Sequence, residues 1–447
     1  MADAPMRPFG RRAALMLPLL LGGCQTISDW LETNKPPIPG KRLPVMAAKR
    51  GVSIDNPEGR RVTLPAPVAN ADWPQAGGVP SHAMGHLAAR PVLAESWHAS
   101  IGEGGGYRRQ ITAYPVVANG RVVTMDSDGV ITAYDTQSGN RLWRTETQGK
   151  KDRSTNVGGG VAFDGGVLYA ATGRAEALAL DAASGKILWR ASIGNAARSA
   201  PTVAGGRLFI PTISDELLAL SAKDGSRQWS YQASNAETSV LGLPSPAYAD
   251  GFVVAGFASG ELLCLRESGG AVVWAENLAA TGGRDSLIDL SAIRGMPVIA
   301  NGQVYVASLG GLMLALDLRS GRRLWERDIG ASETMWLAGD WLFALSLDNE
   351  ALAINRNDGA VAWITPLPRF VDEGRQRDPI RWLGPILVSN RLILAGSGNV
   401  HVAIALDPAN GKVVGRQELS GPTAVAPVVA GGAVYLVTDD ATLTVLR

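Results

Sequence analysis

Short runs of apolar and polar residues, separated by turn residues, fill the chain from about residue 93 onwards. The run Leu178-Ala179-Leu180-Asp181 is typical of a strand that buries one face. Glycine pairs separate such runs, as where Gly205-Gly206 stands between Pro201-Thr202-Val203-Ala204 and Arg207-Leu208-Phe209-Ile210. The pattern predicts an all-β protein of short antiparallel strands.

An eleven-residue phrase recurs in these runs, with Ala at position 1, a polar residue at 3, Gly at 7 and Trp at 11. Asp followed by Gly four residues later predicts a turn, because Asp bonds nearby amides and Gly supplies positive φ. Each unit is a meander of four strands over about 45 residues, the size of a propeller blade. The phrases begin at Ala133, Ala179, Ala219, Cys264, Ala315, Ala353 and Ala405. Their final residues are Trp143, Trp189, Trp229, Trp274, Trp325, Trp363 and, in place of the last Trp, Gly415.

The two ends of this region supply one further blade. Thr442–Arg447 matches a third strand, and Ser96–Gly102 supplies the missing fourth, with Trp97 lying 46 residues before Trp143. Residues 93–447 are therefore predicted to form an eight-bladed β-propeller of four-stranded antiparallel blades, closed by an N-terminal strand that joins the last blade. The Trp residues are expected to pack between neighbouring blades.

Residues 1–23 have the features of a lipoprotein signal peptide. Arg7, Arg11 and Arg12 precede the short apolar stretch 13–21, which is too short to span a bilayer. Leu21-Gly22-Gly23-Cys24 resembles a bacterial lipobox, in which the thiol of Cys24 is acylated after cleavage. An ordinary signal peptide with a chance Cys is the alternative, and export by the Sec or the twin-arginine route stays open. Gln25, rather than Asp, follows the Cys, which by resemblance indicates the outer membrane.

Residues 24–92 are interpreted as the lipidated Cys and a Pro-rich linker. The stretch 35–42 (Lys-Pro-Pro-Ile-Pro-Gly-Lys-Arg) predicts an extended, semi-rigid chain. The sequence leaves open whether this segment is ordered. It also leaves open whether Asp72-Trp73-Pro74 docks on the propeller or on a partner.

Composition narrows the function. There are 53 glycines, about 12% against a usual ~7%, as expected for many turns. A net charge of +1 with 19% charged residues argues against a nucleic-acid-binding protein. Cys24 and Cys264 are the two cysteines, so acylation of Cys24 leaves no intramolecular disulfide. His82 and His86 have metal-like spacing without accompanying carboxylates, and we predict no metal site.

The repeat resembles the tryptophan-docking phrase of quinoprotein-type propellers, which two families share. PQQ-dependent dehydrogenases carry an adjacent Cys-Cys pair and long insertions with metal ligands, whereas this chain has neither. The lipobox and the compact blades resemble the BamB family of outer-membrane assembly lipoproteins. The resemblance implies a lipid-anchored periplasmic scaffold of the outer membrane, not an enzyme, without cofactors, that binds the periplasmic domains of BamA and other barrel-assembly subunits. The alternative is a PQQ-dependent oxidoreductase.

The same resemblance locates the partner surface in two loops that precede Pro246 and Pro297. The match is partial, because Leu241 stands where the family has Arg, and Ala292 and Arg294 stand where it has acidic residues. The charge pattern is therefore altered, and ordinary inter-blade loops are the alternative. The expected partner-binding residues are Thr238, Val240, Leu241, Gly242, Leu290, Ala292 and Arg294.

Overall fold

The computed structural model describes residues 52–55, 61–90, 93–106, 109–149, 155–156, 158–234, 236, 242–279 and 291–447. Residues 51–447 form one compact unit. Cys24 with its lipobox lies outside the described residues, as do Thr238, Val240, Leu241 and Leu290. No helix within the ranges above is long and apolar enough to cross a membrane.

Each of the first four blades is a sheet of four consecutive antiparallel strands. Blade 1 contains β2 (Val116–Ala118), β3 (Arg121–Met125), β4 (Ile131–Asp135) and β5 (Arg141–Thr145). Blade 2 contains β6 (Gly159–Asp164), β7 (Val167–Thr172), β8 (Glu176–Asp181) and β9 (Ile187–Ser192). Blade 3 contains β10 (Thr202–Ala204), β11 (Arg207–Pro211), β12 (Glu216–Ser221) and β13 (Arg227–Gln232). Blade 4 contains β14 (Ala247–Ala249), β15 (Phe252–Gly256), β16 (Glu261–Arg266) and β17 (Val272–Asn277).

The remaining blades keep this plan with two departures. Blade 5 contains β18 (Val298–Ala300), β19 (Gln303–Ala307), β20 (Met313–Asp317) and β21 (Arg323–Arg327). Blade 6 contains β22 (Trp336–Ala338), β23 (Trp341–Leu345), β24 (Glu350–Asn355) and β25 (Val361–Pro366). Blade 7 has five strands, β26 (Phe370–Asp372), β27 (Arg377–Val388), β28 (Arg391–Gly398), β29 (Val402–Leu406) and β30 (Val413–Glu418). Blade 8 combines β31 (Val428–Ala430), β32 (Ala433–Val437) and β33 (Thr442–Leu446) with β1 (Glu95–Ser100).

The pairing of β1 with β33 closes the ring. Trp97 lies opposite Val445, and Ser100 lies opposite Thr442. Ala94 and Arg447 extend the ladder by exchanging backbone hydrogen bonds of 3.0 and 2.8 Å. β1 covers the edge of β33, which would otherwise lack a neighbouring strand, and exposed strand edges promote aggregation. The predicted eight-bladed architecture and its closure by an N-terminal strand are confirmed.

The repeated Trp docks each blade onto the next one. Trp274 illustrates the arrangement, because its indole N–H donates a hydrogen bond of 2.8 Å to the carbonyl of Leu318 in blade 5. Its ring lies over Gly321, where an added Cβ would stand 2.6 Å from Trp274 Cγ. Gly321 also has φ +70°, so both the turn and the close approach of the ring require glycine there. Small residues occupy the position opposite the Trp on the third strand, here Cys264.

The same bond recurs at seven joints between blades. Each indole N–H donates to a backbone carbonyl of the next blade. The accepting residue directly follows the polar residue at position 3 of the eleven-residue phrase. The pairs are Trp97–Thr136, Trp143–Ala182, Trp189–Ala222, Trp229–Glu267, Trp274–Leu318, Trp325–Arg356 and Trp363–Pro408. A satisfied N–H lets a large apolar ring be buried without the penalty of an unpaired donor.

Truncation of a docking Trp tests this account. Trp274→Ala removes the indole, its hydrogen bond and the packing on Gly321, so the free energy of unfolding should fall by roughly 3–5 kcal/mol. Urea denaturation followed by circular dichroism measures the loss. Leu188→Ala, at an exposed position of β9, is the control and should change stability little. Equal effects of the two changes would contradict the docking role.

Candidate functional site

Residues 61–90, which we call the strap, lie along the first strands of the blades. In blade 7 the corresponding strand is β27, the second of the five, which contacts β22. The strands β2, β6, β10, β14 and β18 contact one another in turn. Trp73 exchanges backbone hydrogen bonds of 2.6 and 2.9 Å with Val117 of β2. The amide of Tyr248 donates to the Pro80 carbonyl at 2.8 Å, and the amide of Ile299 donates to the Ser81 carbonyl at 2.9 Å. The strap thus pairs with backbone groups that the blades themselves leave open.

The strap reaches the first strands of all eight blades. Besides the contacts to β2, β14 and β18, the hydrogen bonds are Phe163 N to Pro74 O, Val203 N to Gln75 Oε1, Trp336 Nε1 to Gly85 O, Leu87 N to Leu387 O and Asn70 Nδ2 to Val429 O. Trp73 is 3% exposed, and its ring stacks on Trp336 with centroids 6.2 Å apart. The question left open by the sequence is therefore answered, since Trp73 docks on the propeller itself.

A polar pocket is lined mainly by the segments that lead into the first strands. The strap bonds to the middle residues of these strands, whereas the pocket is lined by residues that precede them in sequence. Its volume is about 110 Å³. We call it the axial pocket, and its principal polar residues are Tyr114, Arg198, Arg294, Glu333 and Arg381.

The charges in the axial pocket are unevenly compensated. Arg381 donates a hydrogen bond of 3.0 Å to Glu333, whose side chain is nearly buried. Burial lowers the pKa of Arg294, and the nearby positive charge of Arg381 acts in the same direction. Burial also raises the pKa of Tyr114 above its ordinary value, with the charge of Glu333 adding to the effect. Arg294 is thus a half-buried cation on which the charge of Glu333 only partly offsets burial and the repulsion by Arg381.

The structure brings two of the predicted partner-binding residues together. A Cβ built on Gly242 would lie 3.8 Å from Arg294 Nη2, and both residues line the axial pocket. Ala292 is 1% exposed, and its carbonyl accepts a hydrogen bond of 2.9 Å from Leu309 N. Four further predicted residues, Thr238, Val240, Leu241 and Leu290, lie outside the described residues.

Sequence reasoning missed most of the axial pocket. Arg198 and Arg294 both stand four residues before a first strand, at Thr202 and Val298, and Glu333 stands three residues before Trp336. A charged residue three or four positions before an apolar first strand is a signal that alignment of the blades could have revealed. The residues are dispersed over the chain, so no local motif marks them.

The side chains of the pocket do not suit a quinone cofactor with its calcium ion. Calcium takes six to eight oxygen ligands, whereas Glu333 is the carboxylate that lines the axial pocket, and Arg381 occupies it. A volume of about 110 Å³ is also below the ~300 Å³ from which ligand pockets usually start. Among the described residues, no group of three or more His, Cys, Asp or Glu side chains is placed to hold a metal.

The two strap histidines bind backbone instead. His82 Nδ1 lies 2.7 Å from the Pro297 carbonyl. His86 Nδ1 lies 2.7 Å from the Pro65 carbonyl, and its Nε2 accepts a hydrogen bond from Asn390 N. The histidines therefore fasten the strap to itself and to blades 5 and 7.

Fold and repeat together define a quinoprotein-type propeller of eight blades docked by tryptophan. The model of the family described as outer membrane protein assembly factor BamB matches residues 94–156, 127–365 and 374–447. The chain belongs to this BamB family. The matched segments begin after the strap.

Individual relatives agree with the family match. The chain is 25% identical to BamB of Escherichia coli K12 over 357 residues, covering 78% of this chain and 87% of the relative. It is 31% identical to BamB of Nitrosomonas eutropha over 221 residues, covering 49% and 52%. These names are those of assembly factors, which confirms the prediction of a non-enzymatic assembly role over the oxidoreductase alternative.

Solved structures show the same fold. BamB from Moraxella catarrhalis superposes with a TM-score of 0.67 at 20% identity, covering 80% of this chain and all of that one. Quinohemoprotein alcohol dehydrogenase from Comamonas testosteroni gives a TM-score of 0.62 at 15% identity, covering 84% and 80%. At these identities the likeness concerns the architecture alone.

Stability should depend on pH through His82. Burial lowers its pKa to about 4, against the opposing effect of the hydrogen bond to Pro297. In the unfolded chain His titrates near ~6.5, so the unfolded state binds more protons between these values. The stability that this pKa difference contributes is complete above the pKa of the unfolded state. It is lost as the pH falls towards 4, by about 3 kcal/mol at most.

His82→Asn isolates this contribution, because Asn also tolerates the φ of +59° at this position. Urea denaturation at pH 7 and pH 4.5 should show a smaller loss of stability on acidification in His82→Asn than in the unmodified chain. His98→Asn, at an exposed position of β1, serves as the control. The same pH dependence in all three proteins would refute the assignment to His82.

Proposed function

We propose that this chain is a lipid-anchored scaffold of the barrel-assembly machinery, facing the periplasm from the outer membrane. Acylation of Cys24 would supply the anchor. The propeller would bind the periplasmic domains of BamA, and through them other subunits, in support of β-barrel insertion. Membership of the BamB family and the lipobox at Leu21-Gly22-Gly23-Cys24 support this proposal.

The observation that carries the proposed docking site is the approach of Gly242 to Arg294. These residues come from two separate loops and meet at the axial pocket. The strap bonds to the middle residues of the first strands, whereas the axial pocket is lined mainly by residues that precede them. A partner is therefore expected at the axial pocket, where Arg294 is partly exposed.

The charge at this end specifies the complementary chemistry. Arg294 is half-buried and close to a second cation, Arg381, so an incoming carboxylate would relieve their repulsion. Glu333 neutralises Arg381 directly and leaves Arg294 as the better anion acceptor. We therefore propose that the BamA surface presents an acidic side chain to Arg294, consistent with the altered charge pattern of this chain's loops.

Charge reversal at Arg294 tests the docking site. Arg294→Glu should reduce capture of the BamA periplasmic domains by at least tenfold, because breaking one partly buried charged contact costs about 2 kcal/mol or more. Co-purification from detergent-solubilised envelopes measures capture, with circular dichroism to verify folding. Adding Leu241→Asp should weaken capture further.

Arg144→Glu provides the matched control, because Arg144 is exposed on β5 at the outer edge of blade 1. It changes net charge equally and should leave capture unaltered. Undiminished capture by the Leu241→Asp, Arg294→Glu double variant would remove the proposed site.

The anchor is tested separately with Cys24→Ala. Loss of the thiol should abolish incorporation of radiolabelled palmitate and shift the protein from the membrane to the soluble fraction, because the acyl chains supply the anchoring energy. Cys264→Ala is the control, since its thiol is buried in blade 4. Membrane retention and labelling of Cys24→Ala would contradict the lipoprotein assignment.

A further inference from the structure

One joint in the ring lacks its tryptophan. Seven joints hold a docked indole, but between blades 7 and 8 the corresponding residue is Gly415. The correspondence is structural, because Gly415 pairs with Ala405 just as Trp363 pairs with Ala353 and Trp325 with Ala315.

The ring closure explains the missing side chain. A docked Trp needs the carbonyl and the glycine of the turn between the third and fourth strands of the next blade. In blade 8 the third strand is β33 and the fourth is β1, which come from opposite ends of the propeller sequence. No turn joins them, so a Trp at position 415 would find neither partner.

A cavity stands where the indole would lie. Its volume is about 320 Å³, nearly three times that of the axial pocket, and it falls within the range of ligand pockets. Ile393 of β28 stands at the position where other blades carry aromatic residues that pack on the Trp, such as Phe343 beside Trp363. We call this cavity the aromatic slot, and its apolar lining includes Leu93, Ile393, Ala405, Leu436 and Leu446.

The entrance of the slot is positively charged. Arg391 and Arg416 line it and are exposed. In the part of the chain that the structure describes, neither guanidinium makes an ion pair or a side-chain hydrogen bond. Val413 and Val414 on β30 are 58% and 55% exposed beside it, at the outer edge of blade 7. The apolar lining of the slot and the two arginines at its entrance thus lie next to β30, the outer strand of blade 7.

We propose that the aromatic slot binds an aromatic side chain of a second polypeptide, whose neighbouring carboxylates contact Arg391 and Arg416. Seven equivalent joints show that this position between two blades accommodates an aromatic ring. Charge complementarity at the rim selects acidic neighbours. The turn carbonyl is missing at this joint, so an indole N–H would find no hydrogen-bond acceptor there. A phenyl ring therefore fits the slot as well as an indole does. The site lies at a joint of the ring and is independent of the axial pocket.

Fluorine NMR with the full chain tests binding directly. The probe is an acetylated, amidated pentapeptide of Thr, Glu, 4-fluorophenylalanine, Glu and Thr. Saturable shift and broadening of its single fluorine resonance are expected. A peptide with Ala in place of the aromatic residue should not compete. A peptide with Lys in place of both Glu residues should bind about tenfold more weakly, because two exposed ion pairs are lost.

Gly415→Trp should fill the slot from within. An added Cβ at Gly415 meets Ala405 Cβ at 3.5 Å, an ordinary contact, and its φ lies outside the left-handed region. Binding of the fluorinated peptide should fall more than about tenfold. Leu142→Trp, which places the same side chain on an exposed position of β5 in blade 1, should bind normally. Equal binding by Gly415→Trp and the unmodified chain, or no saturable shift with the latter, would overturn the proposal.

A charge-swap variant keeps the test decisive if Gly415→Trp does not fold. Arg391→Glu combined with Arg416→Glu alters only exposed side chains. The double variant should prefer the Lys-flanked peptide over the Glu-flanked one. An unchanged preference would exclude the rim arginines and with them the proposed occupant.

Discussion

The architecture depends on one hydrogen bond repeated around the ring, from an indole N–H to the backbone carbonyl of the following blade. The bond places a large apolar ring over a turn glycine, as where Trp143 lies over Gly185. It fixes the angle between consecutive sheets, because the donor belongs to one blade and the acceptor to the next. Each blade alone would be a small twisted sheet with two exposed faces, so stability comes from these joints.

The strap adds a second kind of closure along the axis. The first strand of every blade has one edge without a neighbouring strand, and its backbone groups require partners when they are removed from water. The strap provides such partners to seven of the blades, for example from Pro74 to Phe163 and from Asn70 to Val429, and in blade 6 it accepts a hydrogen bond from the indole of Trp336.

The sequence predicts the ring well because its determinants are local and repeated. The spacing of Asp181, Gly185 and Trp189 within one phrase is sufficient to locate a turn and the two strands beside it. The strap could not be predicted this way, because Trp73 and Asn70 bond to backbone groups of distant strands, which leave no pattern in side chains. The axial pocket escaped for a related reason, since Arg198, Glu333 and Arg381 meet only after the ring has closed. The absence of Trp at position 415 was visible, but its cause in the topology of blade 8 was not.

Ring closure and the irregular joint are two consequences of the same topology. In blade 8 the fourth strand is β1, so no turn joins it to the third strand, β33. The blade therefore lacks the turn carbonyl and the turn glycine on which a Trp of blade 7 would dock. The strap offsets this loss at the same blade. Asn70 bonds to Val429 and Gly431, and Arg90 N donates to the Gly432 carbonyl at 3.4 Å, only five residues before β1 begins. The strand that closes the ring is therefore delivered to β33 by a segment already fastened to blade 8, which reduces the entropy lost when the ends of the propeller meet.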